Sequence, residues 1–108
     1  MTDNFERDYR DLSNKEKEIM KLISERKGMG KGDYNTVVIE QKLYKEIENF
    51  GKNSNDIFNA YQLKLKSSSN PLEANTKINK LNDINKSYSK FKNEYNNIIN
   101  KKYEYVIN

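Results

Sequence analysis

The stretch Asn70–Ile107, NPLEANTKINKLNDINKSYSKFKNEYNNIINKKYEYVI, decides the reading of this chain. After Pro71 it contains neither proline nor glycine. Ile78, Leu81, Ile84, Tyr88, Phe91, Tyr95, Ile98, Lys102 and Tyr105 recur at steps of three or four residues. That is the α-helical period, and it lays one apolar stripe along one face. Asn70 suits the cap, Pro71 the first helical position, and Glu73 the third position of an Asn-type capping box. At about 1.5 Å per residue such a helix runs roughly 55 Å. A stripe of that length needs partners of similar length.

The preceding sequence supplies two. Phe5, Tyr9, Leu12, Glu16, Ile19 and Ile23 keep a heptad stripe broken once by Glu16, which predicts a first helix over residues 4–26. Met20 and Leu22 are expected to widen it, with Asp3 or Asn4 as cap. A second reading starts this helix at Ser13, with Glu16 completing a capping box. The loop Gly28-Met29-Gly30-Lys31-Gly32-Asp33 ends it. As a phosphate cradle the loop fails on spacing, because a Walker A motif needs four residues between its first Gly and Gly-Lys-Ser/Thr.

Leu43, Ile47, Phe50, Ser54, Ile57, Tyr61 and Leu65, led in by Thr36 and Ile39, predict a second helix over residues 35–66. Gly51 beside Phe50 marks either a close helix approach or a kink. Val37-Val38-Ile39 has strand propensity but no second strand to pair with. Tyr44, Phe58 and Leu63 lie off the stripe, either widening the core face or partly exposed. Ser67-Ser68-Ser69-Asn70 is a short turn, and the third helix spans 70–105. The expected fold is all-α: one domain over residues 1–108, an elongated antiparallel up-down-up three-helix bundle with left-handed, coiled-coil-like packing.

Composition agrees with a slender molecule. Leu, Ile, Val and Phe account for 24 of 108 residues, so the core must be thin. There is no Cys and no His. That removes disulfides, thiolate metal sites, the commonest general base and the commonest metal ligand. With no Ser tied to a base, no nucleophile is activated. The chain therefore reads as a non-enzyme with no cofactor and no metal. The paired charges Glu18 with Lys21 and Glu46 with Lys42 are ordinary surface spacings. Glu16, within the stripe, reads as a register-setting polar layer or a snorkelling edge residue, and Glu40 beside Ile39 as another seam-edge carboxylate.

The charge is uneven: residues 1–50 carry 10 basic and 11 acidic groups, and residues 51–108 carry 10 and 5. Lys77, Lys80, Lys86, Lys90, Lys92, Lys101 and Lys102 form a candidate basic interaction face on the third helix. Interleaved Tyr88, Tyr95, Tyr103 and Tyr105 raise a nucleic-acid reading, but Tyr88 and Tyr95 belong to the apolar stripe. The same lysines could touch an anionic membrane surface.

The chain also resembles the N-terminal three-helix (Habc-like) domain of Qb-type SNARE proteins, the Vti, membrin, Gos and novel plant SNARE group. The features that carry this are Phe5-Glu6-Arg7-Asp8-Tyr9 opening the first helix and Ile39-Glu40-Gln41-Lys42-Leu43 with Ile47 and Ile57 in the second. A short turn with Pro71 follows, then Lys80-Leu81-Asn82-Asp83 and Tyr88-Ser89-Lys90-Phe91-Lys92-Asn93-Glu94-Tyr95 in the third. The resemblance covers nearly the whole chain as a pattern of lengths and spacings. It implies a regulatory and sorting domain in vesicle transport and membrane fusion. Its partners would be trafficking adaptors, tethers or SNARE helices, on the cytosolic face of Golgi or endosomal membranes. The family's Gln-centred heptad motif and membrane anchor are not among these 108 residues, so on this reading the chain is an excised regulatory head. The alternative is a small structural or assembly helical protein, viral or a complex subunit. A nucleic-acid-binding bundle is the lesser one.

Overall fold

Helix after helix follows the apolar stripes. In the computed structural model the described residues are 4–30 and 34–107, with side chains described as far as Lys101. They form α1 (Phe5–Lys27), α2 (Tyr34–Leu65) and α3 (Pro71–Ile107). The proposed Asp3 cap, the Lys31-Gly32-Asp33 part of the loop, and the side chains of Lys102, Tyr103 and Tyr105 lie outside the described residues. Among the described residues there is no strand, and Val37-Val38-Ile39 is helical. The helices pack on one another in a rod of 60 × 22 × 17 Å.

Side-chain partners fix the topology. Phe5 meets Tyr61 edge-on at 5.7 Å, while Arg26 reaches Glu40, so α1 and α2 run antiparallel. Phe50 meets Phe91 at 5.6 Å and Ser54 bonds Asn85, so α2 and α3 run antiparallel too. Glu16 pairs with Ser87 and Lys27 with Glu94, which makes α1 and α3 parallel. The result is the up-down-up bundle that the periodicity predicts.

Start and stop signals act locally. At α3 the Asn70 Oδ1 accepts the Glu73 backbone N–H at 3.2 Å. The Asn70 side-chain amide donates to the Glu73 carboxylate at 3.3 Å, while the Asn70 backbone N–H donates to Ser68 Oγ. The box is therefore closed side chain to side chain, because Ser68 has already claimed the donor that Glu73 would use. α1 starts at Phe5, not Ser13, since burying Phe5 and Leu12 outweighs the Ser13 cap. Asn4 caps α1 without a side-chain bond, its carbonyl accepting the Asp8 N–H at 3.0 Å.

The core is a single column. Phe5, Leu12, Ile19 and Ile23 from α1 meet Leu43, Ile47, Phe50 and Tyr61 from α2 and Leu81, Ile84, Phe91 and Ile98 from α3. Each fully buried side chain of this size contributes about 1.5–3 kcal/mol. Tyr9, Leu22, Ile57, Phe58, Leu65, Tyr88 and Tyr95 pack half-buried around it. Met20 does not widen the stripe: it is half exposed, because it lies beyond the face that α2 and α3 cover. Gly51 is buried, and a Cβ on it would lie 2.4 Å from the Tyr88 ring. The close-approach reading of Gly51 therefore holds, with α2 continuous through it.

Polar groups punctuate the column, and every described buried side-chain polar atom has a partner. Tyr61 donates to Asp8 at 2.9 Å. Ser87 donates to Glu16, so the half-buried Glu16 is a polar tie between α1 and α3. Ser54 Oγ lies 2.9 Å from Asn85 Oδ1 and 3.2 Å from the Gly51 carbonyl. The most buried tie is ionic. Both the Nε and an outer nitrogen of Arg26 lie 3.1 Å from the same oxygen of Glu40. Arg26 continues the heptad of Phe5, Leu12 and Ile19, and it sits in the last turn of α1, where the macrodipole favours a cation.

Candidate interaction surfaces

The lysines of α3 do not converge on one face. At about 100° per residue, Lys77 falls on the core side, Lys80 and Lys92 on opposite flanks, and Lys86, Lys90 and Lys101 on the outward side. Lys77 is half-buried, 5.4 Å over the Phe5 ring, and pairs with Glu73 at 3.3 Å. Lys80 lies 5.5 Å over the Tyr9 ring, and Lys92 lies 5.2 Å over the Tyr88 ring. These three spend their charge on aromatic faces of the bundle itself. Lys86, Lys90 and Lys101 remain exposed. The Lys102 side chain lies outside the described residues.

Even the outward side is tempered by an acid. Glu94 is held by Lys27 of α1 at 2.7 Å. Its pKa sits below the ordinary carboxylate value, chiefly through that hydrogen bond, which outweighs the opposing effect of burial, with the charges of Lys27, Lys90 and Lys101 adding to the lowering. The expected surface pairs also differ. Glu18 takes Lys15 at 3.3 Å in place of Lys21, and Lys15 reaches across to Glu46 on α2 at 3.9 Å.

The more distinctive surface is apolar. Tyr34, Val37, Val38 and Tyr44 are exposed on α2, Tyr34 at 81% and Tyr44 at 56%. Val37 and Val38 follow Tyr34 by three and four residues, and Tyr44 follows Val37 by seven, which keeps them on the outward half of the helix. Tyr44 leans on Tyr95 of α3 at 5.8 Å. A shallow hollow of about 50 Å³ opens there, between Tyr44, Ile47 and Tyr95, rimmed by Glu48 and Lys92. The strip thus runs into the α2–α3 seam on the side away from α1. Tyr44 and Leu63 prove exposed, while Phe58 packs on the core. The signal for this strip was present in the sequence as a second apolar row at helical spacing on α2.

A larger groove, about 480 Å³, separates α1 from α2 along the middle of the rod. Asp8, Asp11, Glu18 and Asp56 line it around Lys15, above Leu12 and Ile57. Among the described residues no group of three or more Asp and Glu is placed to hold a metal ion. No described helix is long and apolar enough to cross a membrane. Comparisons with family models, curated proteins and solved structures returned no match to this chain.

Proposed function

We propose that this chain is a non-catalytic protein-interaction domain that receives a partner helix on the outward strip of α2. One observation carries the reading: Tyr34, Val37, Val38 and Tyr44 stand exposed in helical register beside an open seam. Apolar side chains at that spacing cost solvation while exposed and regain it under an amphipathic helix. Glu48 and Lys92 at the rim offer one charge of each sign to orient it. The finer reading rests on the resemblance: a regulatory head of Qb-SNARE type, acting in vesicle transport at Golgi or endosomal membranes, whose partner helix is a Gln-centred SNARE motif.

The test is a titration of the full chain with a labelled Qb-type SNARE-motif peptide, followed by fluorescence anisotropy. Saturable binding, weakened at least about tenfold by Val38→Asp with helicity unchanged, supports the proposal. Equal binding by Val38→Asp, or no binding at millimolar peptide, overturns it. Sedimentation separates the assembly alternative: self-association through the same strip would point to copies of this chain as the occupant.

A further inference from the structure

We infer that α1 is a releasable arm, which undocks from an α2–α3 hairpin that stays folded without it. The α2–α3 contact carries more ring packing than the α1 contacts, where Phe5 on Tyr61 is the ring pair that joins α1 to α2. α2 and α3 meet through rings: Phe50 on Phe91, Tyr44 on Tyr95, and Tyr88 laid against Gly51. The Tyr88 hydroxyl also lies 3.2 Å from both oxygens of Glu48. The hollows beside Tyr44 and beside Tyr88 are lined by residues of α2 and α3 alone.

α1 is the shortest helix, 23 residues against 32 and 37. Its own buried apolar side chains are Phe5, Leu12, Ile19 and Ile23. Much of its remaining hold is polar: Asp8 to Tyr61, Glu16 to Ser87, Arg26 to Glu40 and Lys27 to Glu94. Net stabilisation from such bonds is small, because each group regains water on release. The α1–α2 seam is an open groove of about 480 Å³, lined by Asp8, Asp11, Glu18 and Asp56 with Lys15 among them. α1 thus has four buried apolar anchors, one ring contact at its start, water-exchangeable ties and an open groove beside it, whereas the hairpin keeps its Phe50–Phe91 and Tyr44–Tyr95 pairs. Release would uncover Leu43, Phe50, Leu81 and Ile84 while leaving α2 and α3 paired.

Native-state hydrogen exchange on the full chain tests this, amide by amide, at rising urea. The α1 core amides should exchange at least about tenfold faster than the slowest amides of α2 and α3, with a weaker urea dependence. The deciding variant is Tyr88→Ala. Its lost contacts persist in the α1-released form, so they affect global unfolding and not release. The slowest α2 and α3 amides should speed up about tenfold or more, while α1 amides change less than about twofold. Should Tyr88→Ala fail to fold, Tyr88→Phe removes only the hydroxyl bonds and gives the same contrast at smaller size. Equal acceleration in all three helices, or a single exchange rate and urea dependence throughout the unmodified chain, would overturn the inference.

Discussion

Replacing Arg26 by Met should be the most costly single change in this bundle outside its apolar column. The Arg26 and Glu40 side chains are 8% and 7% exposed and share one oxygen at 3.1 Å. Removing the guanidinium takes from the buried Glu40 carboxylate the charge that lies 3.1 Å from it. Breaking a buried pair from one side costs about 3–5 kcal/mol. For 108 residues the unfolding entropy near the midpoint is roughly 0.23 kcal/mol per kelvin, so a loss of about 3 kcal/mol lowers Tm by about 13 °C. Glu40→Leu should cost a similar amount by stranding Arg26. The double variant Arg26→Met, Glu40→Leu strands neither, and it should return to within about 1 kcal/mol of the unmodified chain. Urea and thermal unfolding followed by circular dichroism complete the cycle. Single variants within about 0.5 kcal/mol of the unmodified chain, or a double variant that loses the sum of both, would refute the reasoning.

Three further outcomes follow from particular contacts. Gly51→Ala gains about 1 kcal/mol of helix propensity but drives a Cβ to 2.4 Å from the Tyr88 ring, so unfolding should show a net loss of about 1–2 kcal/mol, reversed to a gain when combined with Tyr88→Ala. Lys27→Met should raise the Glu94 pKa toward the ordinary value, read by NMR titration of its carboxyl carbon. Because the folded pKa of Glu94 is depressed, its contribution is present above the unfolded pKa and fades as pH falls through the folded one; the variant should flatten that part of the acid limb. Val38→Asp, on the outward strip, should leave urea stability within about 0.5 kcal/mol, since an exposed side chain carries little of the fold.

The bundle was legible because each helix repeats its apolar residues at steps of three and four, and because Asn70-Pro71 and the glycine-rich loop stop the pattern cleanly. What periodicity cannot encode is the stagger and rotation of one helix against another. That is why Arg26–Glu40 escaped: Glu40 read as a seam-edge carboxylate and Arg26 drew no reading of its own, and only the α1–α2 stagger brings them together. Arg26 stands seven residues after Ile19, which was the available hint. Gly51 could be read as a close approach, but not that Tyr88 makes it. The lysines of α3 were not separable by face in the sequence for a plainer reason. Seven lysines on one helix were grouped by number, while their angular positions scatter them, and Phe5, Tyr9 and Tyr88 draw three of them inward. The outward row Tyr34, Val37, Val38 and Tyr44 was missed because Tyr34 fell just outside the expected second helix and Tyr44 was read only as lying off the core stripe.

The most direct test of the proposed function is backbone NMR of the full chain during titration with a Qb-type SNARE-motif peptide. The account predicts progressive shifts confined to Tyr34, Val37, Val38, Gln41, Tyr44 and their α3 neighbours around Tyr95. Shifts centred instead on Lys86, Lys90 and Lys101, or none at millimolar peptide, would contradict it.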